Sequence, residues 1–496
     1  MVAGWTRPIA RLRRAADRTH VGAGVLIAGD VVLTCAHVVE DAFRGSKEKP
    51  GLGTVLSIDF PFADIHDLRA EVKAWFSLIQ EPGGRRDSQP SDLAVLALDR
   101  PELIDEIEPC LITQTDPDPQ LRIAFFCQGF PVGYPYGAPA EGFLQGLDAR
   151  GWIEAIADTD FGHFIEPGFS GAPVFARDPA IAPIGEIIGI CVTADIGGRR
   201  VARLIPPAQL AFAARSVADP YRWLEHFTHR DVAFFFGREK LTKELSEALR
   251  RSRFILVAGP AGSGKSSLLQ AGLLVNGRRH GMKTVVVRPV ADVRAELALA
   301  LGLRPDQPAD NNAIRRAVED CVSTGGLWLG IDQAERLVQS RNREHARQFL
   351  RLLAELREEF EDLQIAIVVR SDGLPALLAA QPPSRMLERN LHYIDELGRE
   401  ELREAIERPA GRLRVGFAPT LVRRIINDIL SEERVSLSNL QFSLSQLWKS
   451  RTNATINEQA YRDLTPSIER ARWYRLHPVS PAPANSFGAR AAHPLR

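Results

Sequence analysis

Short apolar runs recur over the first 215 positions of the chain, at 21–28, 31–35, 54–60, 93–98, 123–127 and 184–193, with Gly, Pro and Asp clusters between them. Runs of this length with that punctuation predict strands of an all-β barrel or sandwich. An amphipathic segment at 207–214 closes the region. From Arg253 onward the pattern changes. Apolar strand-like runs at 254–258, 284–288, 327–332 and 364–370 alternate with helix-period segments at 266–274 and 345–360. That alternation predicts a parallel sheet with helices on both faces. Between the two regions lies a mixed polar and aromatic stretch carrying Tyr221, Trp223, His226 and His229, then Phe234-Phe-Phe-Gly237-Arg238-Glu239 and an amphipathic helix at 241–249. The expected organisation is an all-β domain over 1–215, a linker over 216–232, an α/β domain over 233–400, a helical, winged-helix-like subdomain over 401–468 and a disordered tail over 469–496.

Length agrees with several cores, since 496 residues exceed what one hydrophobic core serves. Charge is balanced at 62 basic and 62 acidic residues, so nothing global selects a nucleic acid or a membrane surface. Five scattered cysteines (Cys35, Cys110, Cys127, Cys191, Cys321) form no C-x-x-C pair, which argues against a zinc site or a disulfide framework and for a reduced compartment. The first 19 residues carry five arginines without an apolar stretch, and no run of about 18 apolar residues occurs; a cytoplasmic protein is expected.

Candidate chemistry sits at two places. In the β region, Leu33-Thr-Cys-Ala-His37 puts a histidine just after a strand, Asp92-Leu-Ala-Val-Leu puts an aspartate at the head of another, and Gly168-Phe-Ser170-Gly-Ala-Pro173 puts a serine in a glycine-flanked turn. In the α/β region, Gly259-Pro-Ala-Gly262-Ser-Gly264-Lys265-Ser266 lies between an apolar strand and a helix, where a phosphate-binding loop belongs. Its glycines let backbone N–H groups turn toward phosphates, Lys265 would contact the β and γ phosphates of ATP, and Ser266, with Ser267 beside it at the nucleotide, would ligate Mg²⁺. Leu327-Trp-Leu-Gly-Ile-Asp332-Gln-Ala-Glu335 ends a buried strand in a carboxylate, which suits Asp332 to Mg²⁺ and Glu335 to polarising the attacking water.

The first set resembles the trypsin-like (chymotrypsin-fold) serine peptidases, over about residues 15–215. That resemblance implies a double barrel in which Ser170 is the nucleophile, His37 the general base and then acid, Asp92 the partner that orients the imidazole, and the N–H groups of Gly168 and Ser170 the oxyanion hole. Phe169 stands where secreted members carry the acidic residue that pairs with a freed N-terminus, so control by N-terminal cleavage is not expected. Phe164 replaces the trypsin specificity aspartate, and with 192–194 as a pocket wall an apolar or small P1 side chain is expected. The second set, with Arg370 in Ile365-Ala-Ile-Val-Val-Arg370 and the helical stretches 402–409 and 440–448, resembles the STAND class of signalling ATPases over about 230–465. By that likeness Gly237 and Arg238 lie near adenine and ribose and Arg370 senses the γ phosphate. Leu437-Ser-Asn-Leu440 stands where such proteins carry a proline-containing L-P-L-L, which weakens the expected contact between helical subdomain and nucleotide.

Together the resemblances imply an ATP-gated serine endopeptidase acting on a protein substrate. It would assemble into a homo-oligomer on activation, answer to a trigger read by a separate protein, and serve bacterial defence or conflict signalling. The alternatives are a pseudoprotease barrel that binds peptides beside an ATPase scaffold, and a simple ATPase.

Overall fold

The structure is a computed structural model describing residues 4–464, apart from 46–48, 79–89, 106, 119, 149, 158–163, 184, 196–200, 291, 308, 340–342, 381–384 and 432–435. The expected tail at 469–496 lies outside the described residues.

Six strands form a closed first barrel: β1 (Ile9–Arg13), β2 (His20–Ala28), β3 (Val31–Thr34), β4 (Val55–Phe60), β5 (Ile65–Phe76) and β6 (Leu93–Leu98), in the order β1-β2-β3-β6-β5-β4. Antiparallel pairing of Leu12 with Ile58 closes it. A second six-stranded barrel follows from β8 (Ile123–Gly129), β9 (Ala138–Leu147), β10 (Ile153–Ala157), β11 (Pro173–Ala176), β12 (Glu186–Asp195) and β13 (Val201–Ile205), with the short β7 (Leu111–Ile112) added in parallel to β12. It closes where β12 pairs with β11. The sequence pattern exposes fewer of these strands than exist. Strand β5 alternates buried and exposed side chains along most of its length, as a half-solvated barrel strand does, and so shows no contiguous apolar run.

Beyond the helix Pro207–Arg215, the α/β domain has five parallel strands: β14 (Phe254–Gly259), β15 (Lys283–Val287), β16 (Leu327–Ile331), β17 (Leu363–Arg370) and β18 (Leu391–Tyr393), in the order β15-β16-β17-β14-β18. The helix after β14 begins at Lys265–Ser267, passes through a π-helical stretch at Leu268–Leu273 and ends in Leu274–Arg279. Three helices, Arg399–Arg412, Leu421–Leu430 and Leu437–Lys449, build the last subdomain with a two-stranded parallel pair of β19 (Gly416–Phe417) and β20 (Thr455–Ile456).

The stretch expected to be a linker is packed, not extended. Tyr221, Phe227 and Phe234 belong to one hydrophobic core with Leu33 and Leu96 of the first barrel and Leu402, Ile406 and Leu444 of the helical subdomain. Tyr221 donates its hydroxyl to the carbonyl of Ile406 (2.6 Å) and Trp448 its indole N–H to that of Ala218 (3.1 Å), which satisfies polar groups that burial would otherwise orphan. The parallel sheet fills a separate core around Leu256, Leu329, Phe349 and Ile367.

Candidate functional site

Pairing of β3 with β6, with Thr34 opposite Ala94, brings the C-terminal end of one strand to the head of the other. His37, in the first turn of the helix Ala36–Ala42, and Asp92 therefore meet although far apart in the chain. Asp92 adopts a left-handed backbone (φ 57°), which aspartate tolerates. Its carbonyl accepts the N–H of Ala36 (3.1 Å), Oδ1 accepts the N–H of His37 (3.0 Å), and Oδ2 lies 2.6 Å from His37 Nδ1. The imidazole is thus oriented with Nε2 left as the basic nitrogen. Burial pulls the His37 pKa down, but the hydrogen bond and charge of Asp92, with Asp41 and Glu40, outweigh it, and the net shift is above the ordinary histidine value.

Ser170 arrives from the second barrel, in the turn before β11, and its carbonyl accepts the N–H of Ala23 on β2 (2.8 Å), tying the serine turn to the first barrel. Gly168 has φ 105°, and a Cβ there would collide with the carbonyl of Phe130, so only glycine holds this turn. The N–H groups of Gly168 and Ser170 donate to no other described residue, which leaves two donors beside the serine for an oxyanion. His37, Ser170 and Gly168 line one cavity of about 250 Å³ with Val192 and the acidic Asp41 and Glu166. The Ser170 hydroxyl donates to the carbonyl of Val192 (2.8 Å), and no hydrogen bond joins it to His37.

Phe169 is fully buried and Phe164 nearly so, both in the second-barrel core; the position before the serine anchors the turn by packing. Of the wall expected at 192–194, Val192 lines this cavity, joined by Ile165 and Val21, while the side chains of 193–195 lie outside the described residues. Asp41 and Glu166 were not legible as cavity residues, because neither lies in a motif.

At the second place, Gly262 and Gly264 take left-handed backbones (φ 77° and 83°), and their N–H groups donate to no described residue. Gly259 ends β14 behind the loop. Lys265 is buried, donates to the carbonyl of Pro260 (2.5 Å), and is pulled below the ordinary lysine pKa by that burial against the opposing charge of Glu335. Ser266 Oγ donates to Asp332 Oδ1 (2.8 Å), so a hydroxyl and a carboxylate converge as a Mg²⁺ site requires. Glu335 is buried and accepts the N–H of Arg370 (3.1 Å). A cavity of about 520 Å³ is lined by Gly262, Gly264, Lys265, Ser266, Asp332 and Glu335, and also by Ser267, Arg238 and Arg370. Free loop donors, a buried ammonium and a hydroxyl–carboxylate pair around such a cavity fit a nucleotide with Mg²⁺.

Of the predicted nucleotide residues Gly237 lies outside the cavity wall, and three that line it, Arg238, Ser267 and Arg370, are also held by other protein groups. Arg370 lines the cavity, and its guanidinium is paired with Asp372 (3.1 and 2.7 Å). Gly237 packs against the carbonyl of Glu401 and is not in the cavity wall; Arg238 is, held by the carbonyls of Asp395 (2.6 Å) and Ser263 (3.4 Å). Ser267 Oγ accepts the N–H of Phe227 (3.0 Å), so it faces the linker. The contact expected to be weakened at 437–440 is made by other means: the N–H of Leu437 donates to the carbonyl of Gly262 (3.3 Å), and Leu437, Ser438, Leu440 and Gln441 join the cavity wall. A proline-free turn still places this helix end on the loop. Sequence reasoning missed Gln270, Arg288 and His226, which surround Asp332 and carry no motif of their own.

Similar solved structures include the Rv3671c protease of M. tuberculosis in its inactive form, 17% identical over 44% of this chain and 92% of that one, with a TM-score of 0.29. They also include the serine endoprotease from Yersinia pestis, 18% identical over 42% and 62% of the two chains (TM-score 0.29), and mouse neuropsin, a serine protease, 13% identical over 42% and 93% (TM-score 0.29). No curated protein matches the chain. The model of a trypsin-like peptidase domain matches residues 22–190, which covers most of the two barrels, and that of Novel STAND NTPase 1 matches residues 220–471, which covers most of the packed linker, the phosphate loop and the helical subdomain. With just over half of its length in that second match, the chain belongs to the novel STAND NTPase 1 family and carries a trypsin-like peptidase domain fused ahead of the NTPase.

Proposed function

We propose that the chain is a serine endopeptidase whose activity is set by the nucleotide state of the NTPase domain. Ser170 Oγ attacks a peptide carbonyl as His37 Nε2 takes its proton. The N–H groups of Gly168 and Ser170 receive the oxyanion, Asp92 stabilises the imidazolium, and His37 returns the proton to the leaving amine before water releases the acyl group. In the NTPase domain, Lys265 and the loop N–H groups hold the phosphates of ATP, Ser266 and Asp332 hold Mg²⁺, and Glu335 orients water. When bound, Mg²⁺ supplies charge neutralisation at the phosphates.

The observation that carries this reading is the Ser170 hydroxyl resting on the Val192 carbonyl while the His37–Asp92 pair and both oxyanion donors are in place. To be engaged by its base, the Ser170 hydroxyl must first leave the Val192 carbonyl. A physical route for control supports it. The helix that begins at Lys265 ends at Arg278 and Arg279, which bond the Asp105 carbonyl (2.6 Å) and the Glu108 carboxylate (3.0 Å) in the segment following β6, the strand headed by Asp92. Arg230 of the linker bonds Asp105 as well (2.5 Å). A nucleotide gates the peptidase only if its states differ in such contacts.

The same reading takes a protein as substrate, a cytoplasmic setting, ATP-dependent homo-oligomerisation and a separate trigger protein, and it places the role in bacterial defence or conflict signalling. No helix among the described residues is long and apolar enough to cross a membrane.

Fluorophosphonate labelling of the purified chain without nucleotide, with ADP and with a non-hydrolysable ATP analogue tests the proposal. Labelling that depends on Ser170, rises with the analogue and is insensitive to it in Lys265→Ala is expected. Equal labelling in all three conditions would overturn gating, and no labelling in any would point to a peptide-binding barrel.

A further inference from the structure

His226 belongs to the packed linker and lines the nucleotide cavity, although neither predicted set of site residues includes it, and it closes a four-member hydrogen-bonded ring with the carboxylate assigned to Mg²⁺. Its Nε2 is 3.0 Å from Gln270 Nε2 and 3.1 Å from Arg288 Nη2. Those same two nitrogens donate to Asp332 Oδ2, at 3.3 and 3.0 Å. An arginine only donates, so His226 Nε2 must accept, the ring proton sits on Nδ1, and Gln270 must present its NH₂ group. Each amino group then divides its two hydrogens between His226 and Asp332. Asp332 Oδ1 meanwhile accepts from Ser266 (2.8 Å), so one oxygen faces the metal-binding hydroxyl and the other is held from behind.

Burial makes this arrangement consequential: Asp332 is 1% and Gln270 8% exposed, and partners lost at such sites are not replaced by bulk water. Gln270 lies in the π-helical stretch that follows the phosphate loop, a local departure from α-geometry often associated with functional sites. One residue on, the Phe227 N–H bonds Ser267 Oγ (3.0 Å), so two successive linker residues grip the nucleotide helix. On its other side the linker is pinned to the helical subdomain through Asp219 and Ser445 (2.7 Å) and to the first barrel through the Arg230 carbonyl and the Gly29 N–H (3.0 Å).

We propose that His226 is a positioning residue for Asp332: acting through Gln270 and Arg288, it sets the carboxylate for Mg²⁺ and ties the segment between peptidase and NTPase to the metal half of the nucleotide site. This rests on the nucleotide-site reading above and adds a residue from the linker to it. Groups that orient metal ligands in this way typically contribute 10–100-fold to metal affinity.

The test uses the full chain and a fluorescent ADP analogue, titrated in EDTA and across a MgCl₂ series, for wild type, His226→Ala and His226→Gln. Wild type is expected to gain affinity with Mg²⁺. His226→Ala should lose about 10-fold of that gain while matching wild type in EDTA, and the Mg²⁺ concentration at half-effect should rise by a similar factor. His226→Gln, whose side-chain oxygen can accept from both donors, should recover most of it. An unchanged Mg²⁺ gain in His226→Ala would overturn the proposal, as would a loss of equal size in EDTA and in Mg²⁺, since that marks a plain wall of the cavity. If wild type binds the analogue in neither condition, the nucleotide-site reading fails and His226 with it; if it binds in EDTA without any Mg²⁺ gain, the Mg²⁺ assignment of Ser266 and Asp332 fails and His226 with it. If wild type shows the gain and His226→Ala keeps it, only the assignment of His226 fails.

Discussion

The two sites of this chain are built in opposite ways. The nucleotide site takes most of its groups from one short loop and the helix it starts, with Asp332 and Glu335 added from the end of a neighbouring strand. The peptidase site takes single residues from three distant places, and Ser170 belongs to a different barrel from His37 and Asp92. The state of their polar groups differs as well. Around the nucleotide cavity the charged side chains hold one another: Asp332 with Ser266, Gln270 and Arg288, and Arg370 with Asp372. Both cavities keep two free backbone donors, at Gly262 and Gly264 and at Gly168 and Ser170, but in the peptidase cavity the one hydroxyl that would react is turned aside. A site made of mutually paired charges must exchange partners to accept a ligand, which suits a switch. A site whose nucleophile rests on a backbone carbonyl, away from its base, suits the output of that switch.

The contrast breaks most sharply at Asp92. Asp92→Asn keeps an oxygen for the His37 N–H but puts an amide donor where Nδ1–H must be accepted; kcat/KM of the activated peptidase should fall about 10⁴-fold, while nucleotide affinity stays unchanged. Gly168→Ala tests the free donors: the residue has φ 105° and meets the Phe130 carbonyl, and a loss of roughly 10²–10³-fold in kcat is expected, read from single-turnover acylation. Lys265→Ala should weaken nucleotide binding by about 10–100-fold, one charge-assisted contact of roughly 1.5–3 kcal/mol, measured by calorimetry, and should leave nucleotide-free Ser170 labelling as in wild type. A pH profile sharpens the comparison further. His37 acts as a base only when neutral, and its pKa in the folded protein lies above the ordinary 6.5, so labelling of Ser170 should fall as pH drops through that raised value. The linkage has the same sign: the protonated His37–Asp92 pair contributes stability below pH 6.5 that is lost as pH rises through the folded value. The smallest effect belongs to Glu108→Gln, which weakens an exposed pair with Arg279; it should cost under about 1 kcal/mol in thermal denaturation.

Legibility in the sequence followed the same division. The phosphate loop was readable to the residue because its chemistry depends on backbone conformation over a few consecutive positions, and glycine, lysine and serine advertise that conformation. His37, Asp92 and Ser170 were readable through the short strings around them, which encode a helix start, a strand head and a tight turn. Strands such as β5 and β9 were not, since a strand with one wet face carries alternation instead of an apolar run. The expectation at 437–440 judged a contact by residue types, whereas the bond that joins this helix end to the loop at Gly262 is made by a backbone N–H that any residue but proline offers.

The chain by itself determined its two fused families and both fold classes, and it named residues that the structure gathers around the two cavities, because hydrophobic period and turn chemistry act over a few neighbouring positions. Tertiary structure alone decided that the linker is core, that Asp41 and Glu166 line the cavity beside His37 and Ser170, that the Ser170 hydroxyl rests on Val192, and that His226 bridges the Gln270 and Arg288 groups that hold Asp332. Each of these depends on which distant segments pack together, and packing is settled by the sum of many weak contacts that no local string of residues records.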